Sequence, residues 1–330
     1  MLTIDCHNHV GIEPIHYYTN SFPYCQHLTT MVEEGKQLGV DHWIVFPFVT
    51  NLGLDQEALR EGRIADSPNG NVPYEFENRA LMYEIYKLFP DEGGKTIPFA
   101  MFDPTRKVPE QVAALRELRR EYVFYGLKAQ TTIIQSPIKN LLNQGKALLE
   151  LAEEWDIPIL LHSSYLKEDI WAQAKDILDV VEVTPNVRFC VAHSLRFNRV
   201  QLDRLNDLPN AWFDCSAHRI HCQLAVRNSP LVAPPNLRFK SDFTRASHVL
   251  RDLAETYPNK LMWGSDSPFY SYVAEYNNAM FRLTSSYALE VAALRGVAHE
   301  IQHQIAETNT LNFLKLKPPA DQETETNQQT

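Results

Sequence analysis

Long apolar runs are missing from this chain. None of its segments approaches the ~18 uncharged apolar residues that a membrane-crossing helix needs. No basic leader with an apolar stretch and a small-residue cleavage site opens it. An excess of positive charge is missing too. Lys and Arg number 31 against 41 Asp and Glu, a formal net charge of -10, which leaves no surplus to neutralise a nucleic-acid backbone. The five cysteines (Cys6, Cys25, Cys190, Cys215, Cys222) are odd in number and lack C-x-x-C spacing, so they read as reduced thiols. These absences predict a cytoplasmic protein whose partner is a small molecule, not nucleic acid or membrane. An anionic substrate stays open, because one buried cation or arginine reverses the local field.

What is present is alternation. Apolar residues make up 44% of 330, enough for one large core. Strand-like segments are expected at Thr3 to Val10, Val40 to Val49, Thr96 to Phe102, Val123 to Ala129, Ile157 to Leu161, Val187 to Ala192, Ala211 to Cys215 and Lys260 to Gly264. Helical spacing separates them, for example over Leu28 to Leu38, Tyr74 to Phe89, Pro109 to Arg120, Pro137 to Trp155 and Lys167 to Val181. The run from Asn51 to Pro73 reads as a long loop, and Ser216 to Pro258 carries one clear helix, Ala246 to Tyr257. Eight strands alternating with helices over about 270 residues predict an α/β fold, a closed (β/α)8 TIM barrel with extra C-terminal helices from Ser285 to Leu316. A doubly wound open sheet is the alternative, but its G-x-G-x-x-G fingerprint is absent. The domain then spans 1–316, and the polar stretch 317–330 reads as a disordered tail.

The chemistry sits at the strand ends. T-I-D-C-H-N-H-V begins the first strand, and strict alternation would put Asp5, His7 and His9 on one face. Lys128 falls near the end of the fourth strand, His162 and His193 end the fifth and sixth, and Asp266 follows the eighth. In a barrel these ends converge on one mouth, as a pocket with ligands for one divalent metal or two. Bland readings stand beside this one. His162 and His193 could be buried, hydrogen-bonded histidines. Lys128 could snorkel or pair with a carboxylate, and Asp5 could orient an imidazole or cap the strand. Arg196 suits a carboxylate clamp or a salt bridge. Asp242 and Arg245 suit substrate contact or ordinary loop polarity. Cys215, His218, His221 and Cys222 are too poorly spaced for a separate structural zinc; His218 and His221 fit substrate binding or plain loop roles better. His16, His27, Tyr17 and Tyr18 follow the first strand and would line the mouth.

These motifs resemble the amidohydrolase superfamily, in its amidohydrolase 2 branch of hydrolases and nonoxidative decarboxylases. I-D-C-H-N-H at Ile4 to His9, H-S at His162-Ser163, A-H-S at Ala192 to Ser194 and G-S-D-S-P at Gly264 to Pro268 occur in the family's order. A-E-T-N-T-L-N-F-L at Ala306 to Leu314 resembles its C-terminal helix. The resemblance implies a metal, zinc first and manganese second, on His7, His9, His162 and Asp266, with His193 on a second metal or acting beside the first. It implies a second metal if Lys128 is carbamylated. The family's G-x-x-G-x-P after the sixth-strand His is replaced by S-L-R-F.

The leading expectation is therefore a metal-dependent hydrolase opening an amide, ester or lactone through metal-activated water. Asp266 would move the proton, and His193 and Lys128 would assist at the carbonyl. Nonoxidative decarboxylation of an aromatic or enoic acid is the rival within enzymes. A non-catalytic barrel serving as a scaffold subunit is the rival outside them. Tyr270, Tyr272 and Tyr276 would suit a homo-oligomer interface.

Overall fold

A computed structural model describes residues 1–51, 53–276 and 279–317. Nine strands form one sheet: β1 (Ile4–Ile12), β2 (Cys25–Gln26), β3 (His42–Pro47), β4 (Thr96–Met101), β5 (Gly126–Ala129), β6 (Ile159–Leu161), β7 (Phe189–Val191), β8 (Ala211–Asp214) and β9 (Leu261–Met262). Their order is β2-β1-β3-β4-β5-β6-β7-β8-β9, parallel throughout except for the short β2. All eight expected strands are there, in sequence order. The closed eight-stranded barrel is met only in part, because β2 adds a ninth strand and no continuous ladder joins β9 to β1. Single main-chain bonds span that gap instead. Cys6 N donates to Trp263 O (3.1 Å), Asp266 N to His7 O (3.0 Å) and His9 N to Ser267 O (2.8 Å).

Alternation along the strands divides the core into two layers. Trp43 and Val45 pack outward with Leu127, Ile159 and the helices, whereas Ile44 and Phe46 face the concave side with Phe99, Met101, Leu160 and Met262. Helices Val108–Glu121, Lys146–Glu154, Ala174–Val183 and Ala246–Thr256 follow the apolar spacing of the sequence. The helix expected from Pro137 is broken into a 3-10 turn (Ile138–Leu142) and the helix from Lys146. A Cβ at the intervening Gly145 would come within 2.6 Å of Pro104 O, so the chain turns where only glycine fits. Ser216 to Pro258 holds a second helix, His218–Val226, and Asn51 to Pro73 holds the short Gln56–Arg60. A hairpin that periodicity did not show, β10 (Tyr272–Tyr276) with β11 (Ala279–Leu283), leans on the loop after β1 through Phe22 and Val273.

Helices Tyr287–Arg295, His299–His303 and Asn309–Leu314 are the expected C-terminal additions. The tail expected at 317–330 lies, except for Lys317, outside the described residues. No helix among the described residues is long and apolar enough to cross a membrane.

Candidate metal centre and its cavity

The first strand does not alternate strictly. Its register against β3 shifts between Asp5 and Asn8, and the irregularity puts Asp5 on the face opposite His7 and His9. Asp5 Oδ2 accepts from the Tyr287 hydroxyl (2.9 Å), which accepts in turn from Trp43 Nε1 (2.7 Å) in the outer layer. Its Oδ1 takes the backbone N–H of Ser265 (2.9 Å), so Asp5 ties β1 to the end of β9 and touches neither imidazole. Burial pushes its carboxyl up to about 6.

His7 and His9 turn their Nε2 atoms to one carboxylate oxygen. Asp266 Oδ1 lies 3.3 Å from His7 Nε2 and 3.5 Å from His9 Nε2. Each far nitrogen is held by an acceptor: His7 Nδ1 by Asp214 Oδ2 (2.9 Å) and His9 Nδ1 by Pro47 O (3.3 Å). An acceptor on Nδ1 fixes the proton there and leaves the Nε2 lone pair for a ligand, as metal-binding histidines require. Burial holds His9 down at about 4, hence neutral. Burial alone would raise Asp266, but the facing His7, His9 and Lys128 outweigh it and keep the carboxylate ionised. The three ligand atoms lie within 4.8 Å of one another, and among the described residues no other trio of His, Cys, Asp or Glu does so. This donor set fits one divalent ion. Gly264 makes the convergence possible, since a Cβ there would stand 2.9 Å from the His7 Cβ.

Around the trio the expected residues separate. Lys128 is fully buried, with Nζ 3.3 Å from His7 Nε2 and 4.7 Å above the Phe46 ring. Burial lowers it to about 8. His193 approaches Asp266 Oδ2 at 3.8 Å. His162 stands one ring further out, its Nδ1 2.9 Å from His193 Nε2, and is not among the three converging ligands. Arg196 Nη2 donates to His162 Nε2 (3.4 Å) and Nη1 donates to His221 Nε2. A guanidinium only donates, so His162 Nε2 accepts and its Nδ1–H donates to His193 Nε2. His193 Nδ1–H then serves Ser216 O (3.2 Å). Both ring nitrogens of each histidine are thereby committed to protein partners.

The turn that carries Arg196 is unusual. His193, Ser194, Leu195, Arg196 and Phe197 all have φ between 46° and 64°. This left-handed run occupies the place where the family pattern has glycines. It is held by Arg196 Nε on Ser163 O (2.9 Å), by Ala233 N on Arg196 O (3.0 Å) and by Phe239 N on Phe197 O (2.8 Å).

Other expectations land elsewhere. His218 Nε2 bonds Ala246 O (2.8 Å), with Cys222 Sγ 3.8 Å away, and Cys215 is buried apart from them. These residues with His221 do not gather round one point. Asp242 is exposed and its Oδ1 accepts from Thr244, and the exposed Arg245 precedes helix Ala246–Thr256; neither lines the cavity. His16 lines it, whereas His27 sits 3.7 Å from Glu84 outside. Asp214 was missed. Besides His7 it accepts from His193 N (3.0 Å), Ser216 N (2.9 Å) and Ser216 Oγ (2.5 Å). Its signal was available, a carboxylate closing the seventh strand as His162 and His193 close theirs.

The cavity over this mouth measures about 680 Å³, reaching from His9 and Asp266 past His193 to Arg196, with Ile133, Trp171, Ile220 and Phe269 among its walls. Fold and site together define a metal-binding enzyme scaffold with a substrate-sized cleft over the mouth. The amidohydrolase family model Amidohydro_2 matches residues 4–316, and the chain belongs to that family. No curated protein sequence matches it. Among solved structures, an amidohydrolase from Burkholderia multivorans with bound Zn is 12% identical at TM-score 0.61, covering 96% of this chain and 100% of that one. The dihydroorotase of Campylobacter jejuni is 15% identical at TM-score 0.55 (96% and 84% covered), and an amidohydrolase 2 from Bifidobacterium longum subsp. infantis 14% at 0.53 (96% and 100%). At such identities the likeness is one of fold.

Proposed function

We propose that the protein is a metal-dependent hydrolase of an amide, ester or lactone bond in a small molecule. The observation that carries this is the convergence of His7 Nε2, His9 Nε2 and Asp266 Oδ1, with each imidazole's far nitrogen already engaged. Two imidazoles and a carboxylate suit zinc, with manganese as the alternative, and the zinc in the Burkholderia relative supports that choice. A divalent ion held there supplies Lewis acidity toward a carbonyl oxygen and toward water.

The chain's own residues do the rest. Asp266 Oδ2 faces away from the histidine pair toward His193 and takes the proton of the attacking water, then delivers it to the leaving group. Lys128, buried and cationic, donates to the developing oxyanion. His193 keeps Asp266 Oδ2 oriented through its ring, which Ser216 anchors. Lys128 Nζ lies 3.3 Å from His7 Nε2, where a carbamylated Lys128 would add a second ion. The main-chain bonds from 263–267 to 6–9 support reading the curled sheet as a (β/α)8 barrel.

The test is metal content per chain by elemental analysis, with turnover of an ester and lactone panel before and after chelation. We expect about one zinc or manganese, with turnover lost on chelation and restored on refilling. Release of CO₂ from an aromatic or enoic acid without any hydrolysis product would replace hydrolysis by decarboxylation. Protein that takes up no metal would remove both.

A further inference from the structure

Arg196 is a buried-side cation with no anion. Its Nε, Nη1 and Nη2 donate to Ser163 O, His221 Nε2 and His162 Nε2, all neutral acceptors. No carboxylate among the described residues lies within ion-pair distance of it, whereas the buried Arg106 and Arg188 each have one. Each terminal nitrogen carries a second N–H beyond those bonds, which is the fork that grips a carboxylate. Asp169, a buried acid on the cavity wall, is already occupied: Oδ2 accepts from the Thr132 hydroxyl (2.7 Å) and Oδ1 from the N–H groups of Trp171 and Ala172. The left-handed run 193–197 adds a second, independent sign. Five successive non-glycine residues hold a disfavoured backbone, and the outcome is that Arg196 faces the cavity.

Position then fixes the ligand's shape. From the His221 ring to that of His193 is 5.1 Å, and from His193 to His7 a further 5.4 Å. These steps bound from above the gap between an anion on Arg196 and a carbonyl at Asp266, one that a chain of about four to six single bonds suffices to span. The cavity wall is mostly apolar, with Ile133, Trp171, Ile220, Leu224, Phe269 and Leu283 beside polar residues such as Gln130 and Glu168. We infer that the substrate is a hydrophobic monocarboxylate whose hydrolysable carbonyl and carboxylate lie several bonds apart, the carboxylate gripped by Arg196 between His162 and His221. The inference builds on the hydrolase reading but stands on binding, which can be measured without turnover.

The zinc-loaded full-length protein should be titrated calorimetrically with 5-phenylpentanoate, its neutral amide 5-phenylpentanamide, and benzoate. The acid should bind at least tenfold more tightly than the amide and than benzoate. Arg196→Met should erase the difference between acid and amide while zinc content stays the same. Equal binding of acid and amide by the wild type, or no binding of either, would overturn the inference without any variant having to fold. Turnover separates the two ideas. Hydrolysis of monophenyl adipate at a kcat/KM at least tenfold above that of phenyl hexanoate supports both. Equal hydrolysis of the two esters leaves the hydrolase and removes the carboxylate grip. Arg196-dependent binding of the acid with neither ester cleaved keeps the grip and removes ester hydrolysis.

Discussion

Two buried polar clusters lie in this fold, and they differ in how their charge is matched. At the first, Asp103 and Arg106 form an ion pair (2.6 Å) between residues 0% and 3% exposed. The groups around the pair are answered by neighbouring side chains and backbone. Asp103 Oδ1 accepts from Ser136 Oγ and Thr105 N, Arg106 donates to Ala65 O and Ile134 O, and Gln111 bridges the backbone of both. The second cluster, at the mouth, is buried except for the half-buried Arg196, and its charges do not pair directly. Lys128 and Arg196 lean on imidazoles, Asp266 faces two histidine lone pairs and Asp214 is met by His7, Ser216 and the His193 N–H, so among the described residues no lysine or arginine meets a carboxylate there at ion-pair distance. A cluster that only holds loops together has reason to close on itself, because each unpaired buried charge costs stability. A cluster that keeps charges open is waiting for charged company, and metal plus anionic substrate would complete it.

The sharpest way to break this contrast is to remove one charge from each side. Asp266→Asn keeps the shape of the side chain and removes the negative charge, so turnover should fall by roughly two to four orders of magnitude. The unfolding transition should hardly move. Near-normal turnover would end the role assigned to Asp266. Arg106→Ala should do the reverse. It strands Asp103 in the core and should cost about 3–5 kcal/mol in urea unfolding, with turnover per folded molecule retained. If Arg106→Ala cost nothing in stability, the first cluster would not be the closed structural unit described here.

A third buried carboxyl tests the rule between the two. Glu290 is 1% exposed and meets the Ser285 hydroxyl (2.9 Å) and the Arg219 backbone, with no cation at ion-pair distance among the described residues. Burial pushes it up from 4.5 to about 8. Folded protein therefore keeps a proton that the unfolded chain has released, and the unfolded state binds fewer protons between those values. Stability should fall as pH rises through that window, by on the order of a few kcal/mol, and level off above about 8. Glu290→Gln should flatten the profile in urea titrations across the window. An unchanged slope would mean that Glu290 is charged and compensated after all.

Much of this was legible in the sequence, and the parts that were not share a cause. Eight strands, and His7, His9, His193 and Asp266 at their ends, follow from apolar runs bounded by polar residues, because burial writes itself into local pattern. Asp5 was placed on the wrong face because a register shift leaves no mark on composition. Asp242 and Arg245 looked suited to a loop over the mouth, but where the 216–258 segment travels is decided by tertiary contacts such as His218 on Ala246 O. His162 has the ligand's position in sequence; its nitrogens are engaged by Arg196 and His193, a fact of packing alone.

Asp214 stood at a strand end in plain sight, but its role did not, because its partner is 207 residues away. It links the two clusters' logics, being a buried carboxylate closed by hydrogen bonds that nonetheless serves the open site. Burial works against its charge, yet the His7 ring, Ser216 and the His193 N–H hold it below the usual carboxylate range. Through His7 Nδ1 it fixes the tautomer that frees Nε2, and through His193 N it sets the start of the left-handed turn. Asp214→Asn should therefore weaken metal binding by about 10–100-fold in a competition titration with a chelator, because the orienting charge behind His7 is lost. Arg106→Ala is the control, since it should lose more stability than Asp214→Asn and no metal affinity. Equal metal affinity in the two variants would mean that Asp214 belongs with Asp103, as a structural carboxylate that happens to touch a ligand.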